Sequence, residues 1–335
     1  MYDLDKVDCC IAGGGPAGMM TGYLLARAGL KVIVLEKHPD FIRDFRGDTI
    51  HPATLQLLQE LGILEDFLKL PHQELQRLEA RFGSKIYTIA EFSRLRTVKP
   101  LIAFMPQWDF LNFLSGKASR YPGFSLWMQS SLTGLVRDGD RVAGAEITTP
   151  EGKKTISCRL VIGADGRHSD TRTLAGFELV DSGSSIDLLW FRMPYQATDP
   201  KQSLGFYHQG KILIMIDRGD YWQCGYVIAK GSFDEVRAAG LDQFLRNLLV
   251  VAPFFGDRTG VVGDWSAFSL LSIRIDHLKT WAMDGVLCIG DAAHAMSPVG
   301  GVGINLALQD AVAVANLLWQ EFHRSEGILS KTVLA

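Results

Sequence analysis

The run Gly290-Asp291-Ala292-Ala293-His294-Ala295-Met296-Ser297-Pro298 continues into Gly300-Gly301-Val302-Gly303-Ile304-Asn305. It sets a carboxylate just after an apolar run and then removes most bulky side chains. Asp291 there would accept a polyol chain, and the stretch from Pro298 through Gly301 and Gly303 lets a flat ring lie on the backbone. A helix starting at Gly303 would aim its N-terminal dipole at that ring and stabilise negative charge on it by about 0.3–1 kcal/mol. Near the N-terminus, Gly13, Gly15 and Gly18 form G-x-G-x-x-G around Pro16 and Ala17. The first glycine permits a tight turn, the second lets a pyrophosphate approach, and the third lets helix and strand pack closely. Free N–H groups at the helix start then face the phosphates. Glu36, with Lys37 beside it, closes the next apolar run and would accept both hydroxyls of an adenosine ribose. A third turn, Ala164-Asp165-Gly166-Arg167-His168-Ser169, is followed by Arg172. The three turns together describe a site for a long phosphorylated cofactor ending in a redox ring. His294 reads as a packing residue rather than a base.

Regular elements must carry these turns. Val7 to Ala12 reads as a strand, Pro16 to Ala28 as a helix ended by Gly29, and Lys31 to Leu35 as a second strand. This β-α-β unit brings two parallel strands side by side. Thr54 to Leu70 reads as a helix that Gly62 would split, and Asp109 to Ala118 as another. Arg141 to Thr148 and Lys154 to Cys158 suggest a hairpin, with Leu160 to Gly163 a strand entering the Asp165 turn. Ile186–Arg192, Ser203–His208, Ile212–Asp217 and Tyr221–Ala229 are successive strands, which suits an antiparallel sheet. One helix interrupts this part, opened by the capping box Ser232-Phe233-Asp234-Glu235. Val286 to Gly290 returns to a buried strand before a helix over Gly303 to Gln320. The expected fold is α/β: a Rossmann-like nucleotide-binding domain (1–80, 106–180 and 276–335) interrupted by a mostly antiparallel sheet domain (81–105 and 181–275).

Composition narrows the function. The 335 residues are 47% hydrophobic and 21% charged, so a sizeable core is expected and wholesale disorder is not. The net charge of −3 has no basic block, which argues against nucleic acid. Cys9, Cys10, Cys158, Cys224 and Cys288 lack C-x-x-C spacing and read as reduced core thiols of a cytoplasmic protein. No metal-ligating histidine pair occurs, so no metal is expected. No signal peptide is evident, and no apolar stretch reaches the ~20 uncharged residues of a membrane span.

On these motifs the chain resembles the single-component, group A, FAD-dependent aromatic monooxygenases, the class typified by para-hydroxybenzoate hydroxylase. Gly13, Gly15, Gly18 and Glu36 match its dinucleotide fingerprint. Asp165-Gly166 with Ser169 and Arg172 matches its D-G motif, and Gly290-Asp291, Pro298 and Gly303 match its G-D motif. Arg46-Gly47-Asp48 and Pro106-Gln107-Trp108-Asp109 are similar to two further flavin-contacting segments. The resemblance implies that Arg46 and Gln107 touch FAD, with Arg46 and Pro298 positioning the flavin, and that Asp165, Gly166 and Arg172 also serve NADPH or NADH. It implies hydroxylation of a small aromatic or polycyclic substrate with O₂, through a C4a-hydroperoxyflavin, by a monomer or homodimer. Only one dinucleotide fingerprint is present, so NAD(P)H would bind transiently as a co-substrate.

Substrate residues are expected on the antiparallel sheet. Alternation places Trp222, Cys224 and Tyr226 on one face. Trp190 and Tyr207 are further candidates, and an aromatic-lined pocket would suit a flat apolar substrate; the plain alternative is an aromatic core. Two other enzymes share this frame, a flavin-dependent reductase and a halogenase, although the halogenase W-x-W-x-I-P run is absent. A non-catalytic binding protein like the GDP-dissociation inhibitors is the third reading; Glu36, Asp165 and Asp291 argue against it.

Overall fold

A computed structural model describes residues 6–42, 49–200 and 204–334. The chain divides into two units. One comprises Met1–Gln73, Ala103–Ser182 and Arg274–Ala335; the other comprises Glu74–Ile102 and Gly183–Ile273.

The first unit is built on five parallel strands in the order Val286–Cys288, Gly152–Gly163, Lys6–Ala12, Val32–Glu36 and Phe124–Met128. Cys9–Ala12, Val32–Leu35, Leu160–Gly163 and Val286–Cys288 form continuous buried runs, as strands covered on both faces require. The helix Pro16–Arg27 crosses from the first strand to its neighbour and ends where Gly29 takes φ +88°. Gly22 lets that helix lie on the sheet: a Cβ there would stand 2.6 Å from Val34 Cγ2. The hairpin and strand expected separately between 141 and 163 share one long strand. Gly152–Gly163 pairs antiparallel with Arg141–Thr149 and parallel with Lys6–Ala12. Gly62, at φ +72°, separates Pro52–Glu60 from Leu64–Phe67, the split its position predicted.

Among the described residues one segment, Val299–Arg324, is long and apolar enough by composition to cross a membrane, although Asp310 interrupts its apolar run. Its helix, Gly303–Arg324, buries Ile304, Ala307, Leu308, Ala311, Val314, Ala315, Leu318 and Phe322 at helical spacing. It packs against Pro16–Arg27.

The second unit is a seven-stranded sheet. Its order is Ser269–Leu271, Ile186–Pro194, Tyr221–Ala229, Lys211–Asp217, Leu204–His208, Arg77–Phe82 and Lys85–Glu91. Every pairing is antiparallel except Leu204–His208 with Arg77–Phe82. Two helices follow the last long strand rather than one: Phe233–Ala238 and Leu241–Val251, parted by Gly240 at φ +92°. The capping box does not form. Ser232 donates its hydroxyl back to Ala229 O, 2.8 Å away, so the helix start keeps no side-chain cap.

All five cysteines are buried and free, and burial pushes the Cys158 thiol up to about 12. Thiolate is the reactive form. Iodoacetamide at neutral pH is therefore expected to label none of them in the native protein and all of them after denaturation; rapid native labelling would contradict this core.

Candidate functional site

Parallel pairing sets the ends of the central strands level. Ala12 lies opposite both Gly163 and Leu35, and Gly163 lies opposite Cys288. The three glycine-rich turns and Glu36 therefore emerge side by side at the carboxyl edge of one sheet, where open α/β sheets bind ligands. Backbone bonds lock the turns together. Gly13 N donates to Leu35 O at 2.9 Å, Ala164 N to Ala12 O at 2.7 Å, and Ile289 N to Gly163 O at 2.9 Å.

The fingerprint glycines do separate work. Gly13 sits at φ +109°, and a Cβ there would meet Ala164 O at 2.3 Å. At Gly18 a Cβ would lie 1.9 Å from Gly13 O, so this glycine allows the close crossing of turn and helix. Gly15 differs from both. Its φ of −73° and ψ of −176° suit any residue, yet a Cβ there would meet nothing within 4 Å. The backbone does not require glycine at 15, whereas a ligand seated on the helix start would. Pro16 is the first helical residue and Ala17 is buried behind it. The first N–H groups of this helix have no intrahelical acceptor, and its first turn carries no acidic residue. A pyrophosphate fits that environment.

Glu36 accepts from Gly14 N (3.2 Å) through Oε2 and from His38 N (3.0 Å) through Oε1. Lys37 is exposed beside it.

Asp165 holds its own turn together. One carboxylate oxygen accepts from Ser169 Oγ, and the other accepts from Thr171 N and Thr171 Oγ1, both at 2.9 Å. Arg172 is buried and donates to Arg167 O and Ala292 O, which ties the Gly166 turn to the Asp291 turn. Arg167, which the sequence reading passed over, donates from Nε to Asp291 Oδ2 at 3.1 Å. Asp291 Oδ1 is left to accept from a polyol.

Gly290 takes φ +58°, and a Cβ on it would stand 3.0 Å from Ala17 Cβ. Its N–H donates to Asp310 Oδ2 at 2.8 Å, and the same oxygen lies 2.6 Å from His294 Nε2. Burial alone would lower the His294 pKa; the hydrogen bond to Asp310 and the charges of Asp310 and Asp291 outweigh it, and the net shift is upward. His294 is thus a charge partner as well as a packing residue stacked near Trp281. Asp310 was also missed, although an acid inside an apolar helical stripe was a readable sign.

Pro298 leads into the turn Val299–Gly301. Gly301, at φ +63°, has no room for a side chain: a Cβ would lie 2.2 Å from Thr49 Oγ1, which donates to Gly301 O at 2.5 Å. Asn305 is buried. Its Oδ1 accepts from His51 N and Thr54 Oγ1, each at 2.8 Å, and its Nδ2 donates to Thr49 O at 2.9 Å. This side chain fastens the helix start to Thr49 and Pro52–Glu60, which leaves only its backbone for a ligand. Gly303 and Ile304 supply further N–H groups without intrahelical acceptors. Thr49 pairs with Phe104, and Gln107, three residues further on, opens the helix Gln107–Ala118. Arg46 lies outside the described residues.

The substrate candidates divide. Trp222 and Cys224 are fully buried, and with Tyr226 they form the core beneath Leu241–Val251. The face they share is the helix-covered one, which corrects their expected place beside a substrate. Trp222 Nε1 donates to Asp199, itself paired with Arg258. Burial pushes the Tyr226 phenol up to about 12, so it stays protonated. Trp190 and Tyr207 lie on the opposite face; Tyr207 stacks on Phe82 at 4.6 Å.

A family model described as FAD binding domain matches residues 6–330. The chain belongs to this family of FAD-dependent monooxygenases. It is 30% identical to the 6-methylpretetramide 4-monooxygenase of Streptomyces rimosus over 95% of this chain and 77% of that protein. It spans less than two thirds of the length of several other curated monooxygenases. PqsL of P. aeruginosa, solved with 2-aminobenzoylacetate, superposes with a TM-score of 0.82 at 21% identity, covering 98% of this chain and 90% of that one. The OxyS anhydrotetracycline hydroxylase of Streptomyces rimosus has a TM-score of 0.74 at 25% identity, covering 95% of this chain and 63% of that one.

The glycine geometry makes a sharp prediction. Gly15→Val should lose bound FAD while the melting temperature of the apoprotein stays within about 2 °C of wild type, because the Cβ it adds meets nothing within 4 Å. Retained flavin in that variant would remove the pyrophosphate from this turn. A second concerns pH. The raised folded pKa of His294 means the Asp310 pair stabilises fully below the unfolded value of about 6.5 and is lost as pH rises through the folded value. The melting-temperature gap between wild type and His294→Gln should therefore be largest in mild acid and shrink in alkali; a gap that grows with pH would contradict the pairing.

Proposed function

We propose that the chain hydroxylates an aromatic or polycyclic small molecule, using FAD, NAD(P)H and O₂. The reading is carried by the convergence of three turns and Glu36 at one sheet edge, shaped for a whole flavin adenine dinucleotide. Its substrate class is supported by the names of its relatives, which act on 6-methylpretetramide and anhydrotetracycline.

Each residue then has a defined task. The open N-terminus at Gly15 and Pro16 holds the pyrophosphate, and Glu36 holds the adenosine ribose. Asp291, oriented by Arg167, accepts from the ribityl chain. Pro298, Gly301 and the N–H groups of Gly303, Ile304 and Asn305 line the ring, where the helix dipole favours negative charge. Asp165 and Arg172 act as braces, which keep the Asp291 turn at its working distance. Bound FAD supplies the redox chemistry, hydride acceptance and activation of O₂, which no amino-acid side chain provides. With a single dinucleotide fingerprint, the chain would hold NAD(P)H only transiently. The chain's own part is to orient the substrate, exclude water and hold charge in place.

A panel of phenols, quinolones and polyketide-like aromatics tests this. At least one is expected to raise the rate of NAD(P)H oxidation about tenfold or more, with matching O₂ uptake and a product heavier by one oxygen atom. A product gaining two hydrogens without O₂ uptake would instead make the chain a reductase.

A further inference from the structure

The face of the second unit's sheet opposite the helix Leu241–Val251 carries a polar group without an evident task. Cross-strand register sets Trp190 opposite Gly225, Gly225 opposite Ile214, and Ile214 opposite Gly205. One step along, Arg192 faces Gln223, and Gln223 faces Ile216. The two glycines leave this face without side chains where rings lie down. A Cβ on Gly225 would stand 3.0 Å from the Trp190 ring, and one on Gly205 would stand 2.9 Å from the Tyr207 ring. Glycine inside a strand weakens it. Two of them in one cross-strand row, each under an aromatic ring, make a flat apolar floor.

Gln223 is set into that floor with 5% of its surface exposed. Its Oε1 accepts from Arg218 twice, from Nε at 3.0 Å and from Nη2 at 2.8 Å. A guanidinium only donates, so the amide orientation follows from this pair. Nε2 therefore points away from Arg218, and among the described residues it has no hydrogen-bond partner. A buried donor left without an acceptor is costly, and such groups normally meet a partner.

We propose that Gln223 Nε2 is the donor that reads an acceptor oxygen, keto or phenolate, on the edge of a flat substrate lying over Trp190 and Gly225. This rests on the aromatic-hydroxylase reading above and adds a chemical requirement to it. Arg218 fixes the amide so that only its N–H group faces the ligand. A neutral donor there leaves electron density on a phenolate oxygen, which keeps the ring nucleophilic toward an electrophilic oxygen. A hydrocarbon of the same shape would leave the amide buried and unmet, and such sites discriminate strongly.

The test uses the FAD-loaded protein and two near-isosteric probes, 2-acetylnaphthalene and 2-ethylnaphthalene, with dissociation constants read by titration calorimetry. Wild type should bind the ketone about tenfold more tightly than the hydrocarbon. Gln223→Met should weaken only the ketone and bring the two within about twofold. Gln223→Glu keeps an acceptor for Arg218, so folding is preserved, but it turns an oxygen toward the ligand; it should reverse the preference. Equal binding of both probes by wild type, or a ketone preference that survives both variants, would overturn the assignment and mean that water satisfies the amide. Those outcomes leave the hydroxylase reading intact. If neither probe binds and no aromatic stimulates NAD(P)H oxidation, the hydroxylase reading fails and this inference with it.

Discussion

Parallel registry between strands far apart in sequence is the constraint on which the site depends. Lys6–Ala12 pairs with Gly152–Gly163, and that strand pairs with Val286–Cys288. Because parallel strands run the same way, every turn leaving them opens at one edge. A slip at either pairing would move Gly13, Ala164 and Gly290 out of level with one another. The buried apolar faces of these strands thus hold the site as well as the core.

Around that edge, charged side chains mostly serve the frame. Asp165 caps its own turn, Arg172 ties two turns together, and Asp310 holds Gly290 and His294. Each is hydrogen-bonded on several sides, which is what makes a partly buried charge tolerable. Asp291 is held by Arg167 through one carboxylate oxygen. The glycines divide similarly: Gly13, Gly18 and Gly301 are demanded by the protein's own packing, while Gly15 leaves open space. This division separates residues whose loss unfolds the site from those whose loss only empties it.

The second unit applies one rule to both faces of a sheet. Trp222, Cys224 and Tyr226 meet the helix Leu241–Val251, and the aromatic network around Phe244 seals that side. The intervening residues, Gln223 and Gly225, inherit the other face by alternation alone.

Sequence by itself determined the local chemistry. The G-x-G-x-x-G turn, the acid ending the next strand, the D-G and G-D turns and the strand run from Ile186 to Ala229 all follow from short-range rules of glycine, hydrophobic period and turn residues. So did the break at Gly62. Only the tertiary structure decided the long-range matters. Alternation grouped Trp222 with Cys224 and Tyr226 but held no information on which face a helix would cover. Ser232 met the pattern of a capping box, yet its hydroxyl found Ala229 O instead. Asn305 reaches Thr49 and Thr54 across some two hundred and fifty residues, and Arg167 reaches Asp291 across more than a hundred. Such partners are chosen by how packed elements bring distant side chains within hydrogen-bond reach, and neither spacing nor residue type encodes that.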